Sequence, residues 1–390
     1  MKILIVGQLP IEAGGTYTTG VCNVVYELSK CANKDFEIVV YATNMKSSFA
    51  SAEGHFVYRG TIINPFASLT HLLRHPISTV REWLFYHRKC HSFFLRYDAY
   101  RYNIERIIKE EKPDVIHCMS VCQMASCYYA NIRYKIPLIL TSHGIDANPY
   151  CEFLSVMKMA DVVTGLTPEI IQWLNRNGVP QHQLAMIPNG TDVRKFYYSE
   201  KDRDIIRNEI GVNANTTVLL TIGALCHRKG QMSFLSKLRE IPNEFDFVYL
   251  IIGIGEDEDK LKSYIEQNNM QERVKMLGYV SNNELYRYHS AADVYVHCSR
   301  SEGQALSEIE AYTTDLKIAI NREVVGTVIT DTSNHDDYWI FDYDSFDVGE
   351  FISWASCHKN ARITREQYDW NKIFKMYSEC YSKLFRMQKK

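Results

Sequence analysis

Short, continuously apolar runs alternate with amphipathic stretches along this chain, and the alternation starts twice. Residues 2–7 read as a buried first strand, followed by a loop holding Gly14-Gly15 and then a helix. On that helix Val21, Val24, Val25, Leu28 and Ala32 recur at the spacing of one apolar face. Further strands are expected at 37–42, 114–118, 138–142, 161–166 and 184–188. Thr167-Pro168 opens a helix over 169–177, and Gly178 closes it. The pattern begins again at 217–223, with a helix over 229–240 and strands at 245–253, 274–278, 293–297 and 316–320. Strand, helix, strand is the βαβ unit of a parallel sheet. The expected fold class is therefore α/β: two Rossmann-like, doubly wound domains facing each other across a cleft.

A length of 390 residues suits two domains, each with its own core. The break is placed at Asn189-Gly190-Thr191-Asp192, with a charged stretch from Ser199 to Arg207 completing the linker. This gives an N-terminal domain over 1–197, with an insertion at about 60–101, and a C-terminal domain over 198–368. In the last segment, 369–390, Trp370, Ile373, Phe374, Tyr377, Tyr381, Leu384 and Phe385 share one helical stripe, which suits docking rather than a free tail.

The composition, 46% hydrophobic and 23% charged with net charge −2, argues against a general nucleic-acid binder. Eleven cysteines without paired spacing point to a reducing cytoplasm and to packing roles. His117, Cys118, Cys122 and Cys127 lie close in sequence but lack paired CxxC spacing, so packing is expected there rather than a metal. The opening apolar run stops at Gln8, too short for a signal peptide, and no stretch is long enough to span a bilayer. A cytoplasmic enzyme is expected, with possible peripheral contact on the inner face of the cell membrane.

Chemistry concentrates at the ends of the expected strands, where open α/β sheets bind ligands. After the strand at 293–297 come Ser299-Arg300-Ser301-Glu302-Gly303-Gln304-Ala305-Leu306 and then Ser307-Glu308-Ile309-Glu310-Ala311. Glu302 falls in the loop and Glu310 on the following helix, whose side chains lean back toward its start. Two carboxylates then flank free backbone N–H groups at a helix start. Amides suit phosphate, and carboxylates suit sugar hydroxyls. Taken without that context, Glu302, Glu308 and Glu310 would read as a solvated helix face.

Glu302-x7-Glu310 in this setting resembles the signature of the retaining glycosyltransferases of family 4, which have the GT-B fold. Gly223-Ala224-Leu225-Cys226-His227-Arg228-Lys229-Gly230 resembles the family's strand-end motif, whose two cations bind the donor diphosphate. Lys229 matches the lysine. Ala224 stands where the arginine is usual, and Arg228 is the neighbouring candidate for the second charge. Ser142-His143-Gly144-Ile145-Asp146 ends a strand where the family places a histidine beside the donor sugar, with Asp146 a weaker candidate for the acceptor. Gly253-Ile254-Gly255-Glu256 resembles the glycine turn near the nucleotide, and Gly278-Tyr279-Val280-Ser281 the loop whose backbone reads the base.

The resemblance implies a metal-independent, retaining hexosyltransferase that uses a nucleotide sugar as substrate and no cofactor. Glu302 would hold the transferring sugar, Glu310 the ribose, and Lys229 with Arg228 the diphosphate. Amides at Gly303, Gln304, Ala305, Leu306, Gly14, Gly15 and Thr16 would supplement them. The domains would close around 189–192, and a phosphate oxygen would take the acceptor's proton. The expected donor carries a hexose or N-acetylhexosamine on UDP in preference to GDP. The acceptor would be a glycan or lipid-linked glycan in bacterial cell-surface polysaccharide synthesis. In this family the last helix crosses back to the N-terminal domain. A nucleotide-sugar epimerase and a catalytically silent partner subunit of the same fold are the alternatives, Ala224 favouring the latter. Asp342-Tyr343-Asp344 is read as an acidic turn, not a metal motif.

Residues 71–101 are basic and aromatic, with Arg74, Arg81, Arg88, Lys89, Arg96 and Arg101 among Trp83, Phe85, Tyr86, Phe93, Phe94 and Tyr97. The stretch suits an anionic membrane surface and capture of a lipid-linked acceptor. Packing of its aromatics on the N-terminal domain is the competing reading.

Overall fold

The computed structural model describes residues 1–51, 54–60, 94–119, 123–144, 154, 156–327, 337–357 and 365–388. For residues 94–100, 125 and 325–327 it describes the backbone only. The chain forms two compact units, one of Met1–Ile187 with Ile373–Lys390 and one of Pro188–Lys372.

The first unit is built on an eight-stranded sheet in the order β3-β4-β2-β1-β5-β6-β7-β8. Its strands are β1 (Lys2–Gly7), β2 (Glu37–Ala42), β3 (Phe49–Ala50), β4 (Phe56–Gly60), β5 (Val115–Cys118), β6 (Leu138–Ser142), β7 (Val162–Gly165) and β8 (Leu184–Met186). All pairings are parallel except β3 with β4. Ile3, Leu4, Ile5 and Val6 are all fully buried, which requires both sheet faces to be covered. Helix α1 (Gly20–Lys30) packs Val24, Val25 and Leu28 inward, and Thr19 caps its start by accepting from Cys22 N. Helices α2 (Phe94–Glu111) and α3 (Met124–Tyr134) pack on each other, and α4 (Pro168–Arg176) starts with Thr167 as its cap and proline in its first turn.

Among the polar residues buried in this unit are Arg101 and His117. Arg101 is 1% exposed, its guanidinium 3.4 Å from the centre of the Tyr129 ring and 3.5 Å from Glu105 Oε1. This member of the basic stretch is therefore packed inside, and its cation is not offered to a membrane. Arg74, Arg81, Arg88 and Lys89 lie outside the described residues, as does the side chain of Arg96. His117 has both ring nitrogens engaged, Nδ1 with Tyr381 Oη at 2.8 Å and Nε2 with Thr141 Oγ1 at 2.7 Å. Burial, with His143 adding to it, holds its pKa down at about 3, so the ring is neutral. Cys122 lies outside the described residues.

The second unit carries a six-stranded parallel sheet in the order β11-β10-β9-β12-β13-β14. These strands are β9 (Thr217–Ile222), β10 (Phe247–Ile252), β11 (Val274–Gly278), β12 (Val294–His297), β13 (Lys317–Asn321) and β14 (Tyr338–Phe341). Helix α6 (Gln231–Leu238) and α10 (Val348–Ser356) bury Phe234 and Phe351 against one face. α8 (Leu285–Ala291) and α9 (Leu306–Thr313) cover the other. Helix α7 (Glu258–Gln267) follows β10.

The charged stretch expected to be a linker is instead helix α5 (Glu200–Glu209), capped by Ser199 and packed on α8. Arg207 explains the difference. It is 4% exposed and places Nη2 2.6 Å from Asp293 Oδ2, while its other donors reach the carbonyls of Ala291, Asn213, Ala214 and Thr216. Arg203 joins it at 2.7 Å from Asp293 Oδ1. A charge run whose cations find a partly covered carboxylate and backbone carbonyls folds instead of remaining solvated.

Helix α11 (Trp370–Gln388) begins in the second unit and returns the chain to the first. Ile373, Phe374, Tyr377, Tyr381 and Leu384 are buried along it, and Phe36 meets Phe374 edge to face at 5.6 Å. No helix among the described residues is long and apolar enough to cross a membrane.

Candidate active site

The carboxyl ends of β9, β10 and β12 lie side by side in the second sheet, and glycines let their loops approach. A Cβ on Gly253, at φ +146°, would stand 1.8 Å from Gly223 O, and one on Gly255 2.3 Å from Leu225 O. Gly223 N donates to Ile252 O, Leu225 N to Ile254 O, and Gly253 N to Gly278 O. Side chains would push these strand ends apart.

After β9 the chain makes a short 3-10 turn, His227–Lys229, ended by Gly230 at φ +71°. The helix expected from Lys229 therefore starts at Gln231. Gly230 needs that left-handed backbone and is also sterically required, because a Cβ there would lie 1.9 Å from Cys298 O. Arg300 N donates to Arg228 O, Cys298 Sγ meets Lys229 O at 3.2 Å, and the hydroxyl of Tyr343 donates to Cys298 O. The loop after β9 and the loop after β12 are thereby fastened together.

Three donors converge on Glu302 Oε1: Lys229 Nζ at 2.6 Å, Ser299 Oγ at 2.9 Å and Arg228 Nη1 at 3.1 Å. Arg228 Nη1 also donates to Ser301 O at 2.6 Å. Burial pushes the Glu302 carboxyl up, but the charges of Lys229, His297 and Arg228 outweigh it and hold it below the usual carboxylate range. Lys229 and Glu302 are largely covered, whereas the Arg228 side chain is 52% exposed. Position 224 brings only its carbonyl, which accepts from Gln231 Nε2.

The helix that follows, α9, is not the solvated face that three close glutamates suggest. Glu308 is 1% exposed and Glu310 8%. Two residues apart on a helix, they point to different sides. Glu308 Oε2 sits 2.6 Å from His297 Nδ1 on β12, and Glu310 Oε2 lies 3.5 Å from His289 Nε2 on α8. His289 is fully buried, and among the described residues neither ring nitrogen has a hydrogen-bond partner. Among the described residues no side chain caps α9. Gln304 Oε1 accepts from Asn189 N at 2.7 Å and its carbonyl from Asn189 Nδ2 at 3.0 Å, so residues read as part of a linker hold the loop. Val280 packs against the core on this side of the sheet.

The remaining candidates belong to the first unit. His143 follows β6 with Nε2 buried and, among the described residues, without a hydrogen-bond partner. Burial lowers its pKa to about 4, against a hydrogen bond to the Met119 backbone, so it is a neutral imidazole. Asp146 lies outside the described residues. The amides of Gly14 and Gly15 are committed within their own loop, to Ile11 O and Pro10 O. Gly15 is required there because a Cβ would stand 1.9 Å from Leu9 O. At Asp342-Tyr343-Asp344, Asp342 Oδ1 accepts from Asp344 N, a local turn. Sequence reasoning missed His289, His297 and the inward course of Glu308. The signal was a histidine inside an otherwise apolar strand.

Paired nucleotide-type α/β sheets, with lysine, arginine and glutamate gathered at the strand ends of one, define a class of enzyme that handles nucleotide-linked groups. Family models specify it. That of the glycosyl transferases group 1 matches residues 202–350, and that of glycosyltransferase family 4 matches residues 18–195. Over 316 residues the chain is 23% identical to alpha-monoglucosyldiacylglycerol synthase of Acholeplasma laidlawii, covering 74% of this chain and 77% of that one. It is 30% identical over 235 residues to the UDP-Gal:alpha-D-GlcNAc-diphosphoundecaprenol alpha-1,3-galactosyltransferase of Escherichia coli, covering 56% and 60%. Anabaena Alr3699/HepE, solved in complex with UDP-glucose, has the same fold with a TM-score of 0.71 at 16% identity, over 98% of this chain and 100% of that one. The chain belongs to the group 1, family 4 glycosyltransferases, with the GT-B fold.

Proposed function

We propose that the protein is a retaining hexosyltransferase that moves a hexose or N-acetylhexosamine from a UDP-sugar to a glycan or lipid-linked acceptor without a metal ion. The observation that carries this reading is the convergence of Lys229 and Arg228 on Glu302 at the strand ends. Transfer breaks the bond between the anomeric carbon and the diphosphate, so negative charge grows on the leaving oxygen. Lys229, Arg228 and the uncapped start of α9 supply positive potential for it. Arg228 thus takes the part of the cation missing at Ala224. Glu302, kept ionised by its neighbours, accepts hydrogen bonds from hydroxyls of the transferring sugar, and Glu310 accepts from the ribose. The acceptor hydroxyl attacks from the face the diphosphate leaves, and a phosphate oxygen takes its proton, so no side-chain base is used. His143, neutral, lends a hydrogen bond near the reacting carbon.

The UDP preference draws on the UDP-galactose of the Escherichia coli relative's name and on the UDP-glucose bound by Alr3699/HepE. The lipid-linked acceptor draws on the diphosphoundecaprenol and diacylglycerol in the names of two relatives. Cell-surface polysaccharide assembly at the inner face of the membrane is the setting this suggests.

The test incubates the protein with UDP-glucose, UDP-galactose, UDP-N-acetylglucosamine and GDP-mannose and follows release of nucleotide, with and without EDTA. Slow hydrolysis of one UDP-sugar, unchanged by chelator, is expected. Interconversion of two epimers would replace the reading with an epimerase, silence across the panel with an inactive subunit, and loss of turnover in EDTA would remove metal independence.

A further inference from the structure

The loop carrying Glu302 leaves the sheet at His297 and re-enters regular structure at Leu306. Its first half is tied down by neighbours: Asn321 Nδ2 donates to Ser299 O at 2.9 Å, and Arg300 N donates to Arg228 O. Its second half is held through Gln304 and Asn189. Across its base, from the last residue of β12 to the third of α9, lies the 2.6 Å contact between His297 Nδ1 and Glu308 Oε2. Both side chains are buried, at 3% and 1% exposure. An apolar pair would fill this space without the desolvation that an imidazole and a carboxylate suffer. Among the described residues His297 Nε2 and Glu308 Oε1 have no hydrogen-bond partner, so the pair completes no larger network there. What a polar pair adds is direction: a short hydrogen bond fixes distance and angle where packing of two leucines would not.

We propose that His297 and Glu308 are positioning residues for sugar transfer, a buckle across the base of the 298–305 loop that fixes where Glu302 meets the donor sugar. The inference rests on the glycosyltransferase reading of this site. Neither residue touches the reacting atoms. Their effect is on geometry, and so falls on turnover and not on capture of the nucleotide.

The experiment compares wild type with E308L, E308Q and the double variant H297L/E308L, measuring UDP affinity, melting temperature, and kcat and KM for the UDP-sugar that wild type hydrolyses. The double variant leaves no orphaned polar group, so its melting temperature and UDP affinity are expected to stay near wild type while kcat falls tenfold or more. E308Q, whose amide oxygen still accepts from His297, is expected to recover most of the rate lost in E308L. A stable double variant with kcat within twofold of wild type would reduce the pair to packing and overturn the proposal. Equal damage in E308Q and E308L would also overturn it, and this comparison decides the matter if the double variant does not fold. A wild type that binds and turns over no nucleotide sugar would instead sink the functional reading, and this inference with it.

Discussion

Lys229 Nζ stands 2.6 Å from Glu302 Oε1, so the main cation at the strand ends is already committed to a carboxylate. A donor diphosphate must share that lysine with Glu302. Glu302→Gln is expected to tighten UDP binding several-fold while lowering sugar turnover by about a hundredfold, and Lys229→Ala to weaken both. Titration calorimetry with UDP, set beside donor hydrolysis rates, checks the opposed directions. If both properties move together in Glu302→Gln, the sharing is absent.

The same pair makes stability depend on pH. Glu302 has its carboxyl held down in the folded state, so its contribution is present above the ordinary carboxylate range and fades as pH falls through the lowered value. Melting temperature followed from neutral to acidic pH is expected to drop less steeply in Glu302→Gln than in wild type.

His117 gives the first unit a dependence centred higher. Burial holds its pKa at about 3 against an ordinary 6.5. An unfolded chain takes up that proton as pH falls below 6.5, and the folded chain does not, so stability is full above 6.5 and declines toward 3. Tyr381→Phe, which leaves His117 Nδ1 unpaired, is expected to destabilise by about 1–3 kcal/mol. Urea unfolding at pH 7.5 and 5.5 measures both effects.

Gly230→Ala places a methyl group 1.9 Å from Cys298 O at a residue with φ +71°. Conformational strain alone costs about 1–3 kcal/mol, and the clash parts the two loops that meet over Lys229. A lower melting temperature together with lost UDP affinity is expected. A variant that melts lower but binds UDP normally would show that the loops are not coupled.

Arg207→Met takes from Asp293 its 2.6 Å partner and from the carbonyls of Ala214 and Thr216 the donor that reaches them. Asp293 is partly exposed and keeps Arg203 and Val218 N, so the cost is that of the hydrogen bonds lost to carbonyls and carboxylate, about 1–3 kcal/mol. Chemical denaturation is expected to show a loss of that order, with sugar transfer by the remaining folded fraction unaffected.

The strands were legible in sequence because burial on both faces writes a continuous apolar run. Residues 2–7, 37–42 and 138–142 form strands with the bounds expected, and so do residues 274–278, a half-covered strand at the edge of the second sheet. Charge misled where it was buried. Residues 199–207 read as a linker because composition does not reveal that Arg207 finds Asp293 86 residues away, although Ser199 was a fair cap and Ile206 a fair anchor. Arg101 failed in the same way, its partner ring being Tyr129. Lys229, Arg228 and Glu302 were singled out by their places at strand ends together with the resemblance to family motifs, and the fold brings them together. Their shared oxygen, the commitment of the Gly14 and Gly15 amides, and the histidines against α9 are tertiary facts without a local signature.

The helix beginning at Trp370 has an implication for biosynthesis. The ribosome delivers strands β1 to β8 first, then all of the second unit, and only afterwards the tyrosines that seal His117 and Thr141. The half made earliest is therefore the half completed last. Until they arrive, the surface those tyrosines cover stays open to solvent and to misassociation.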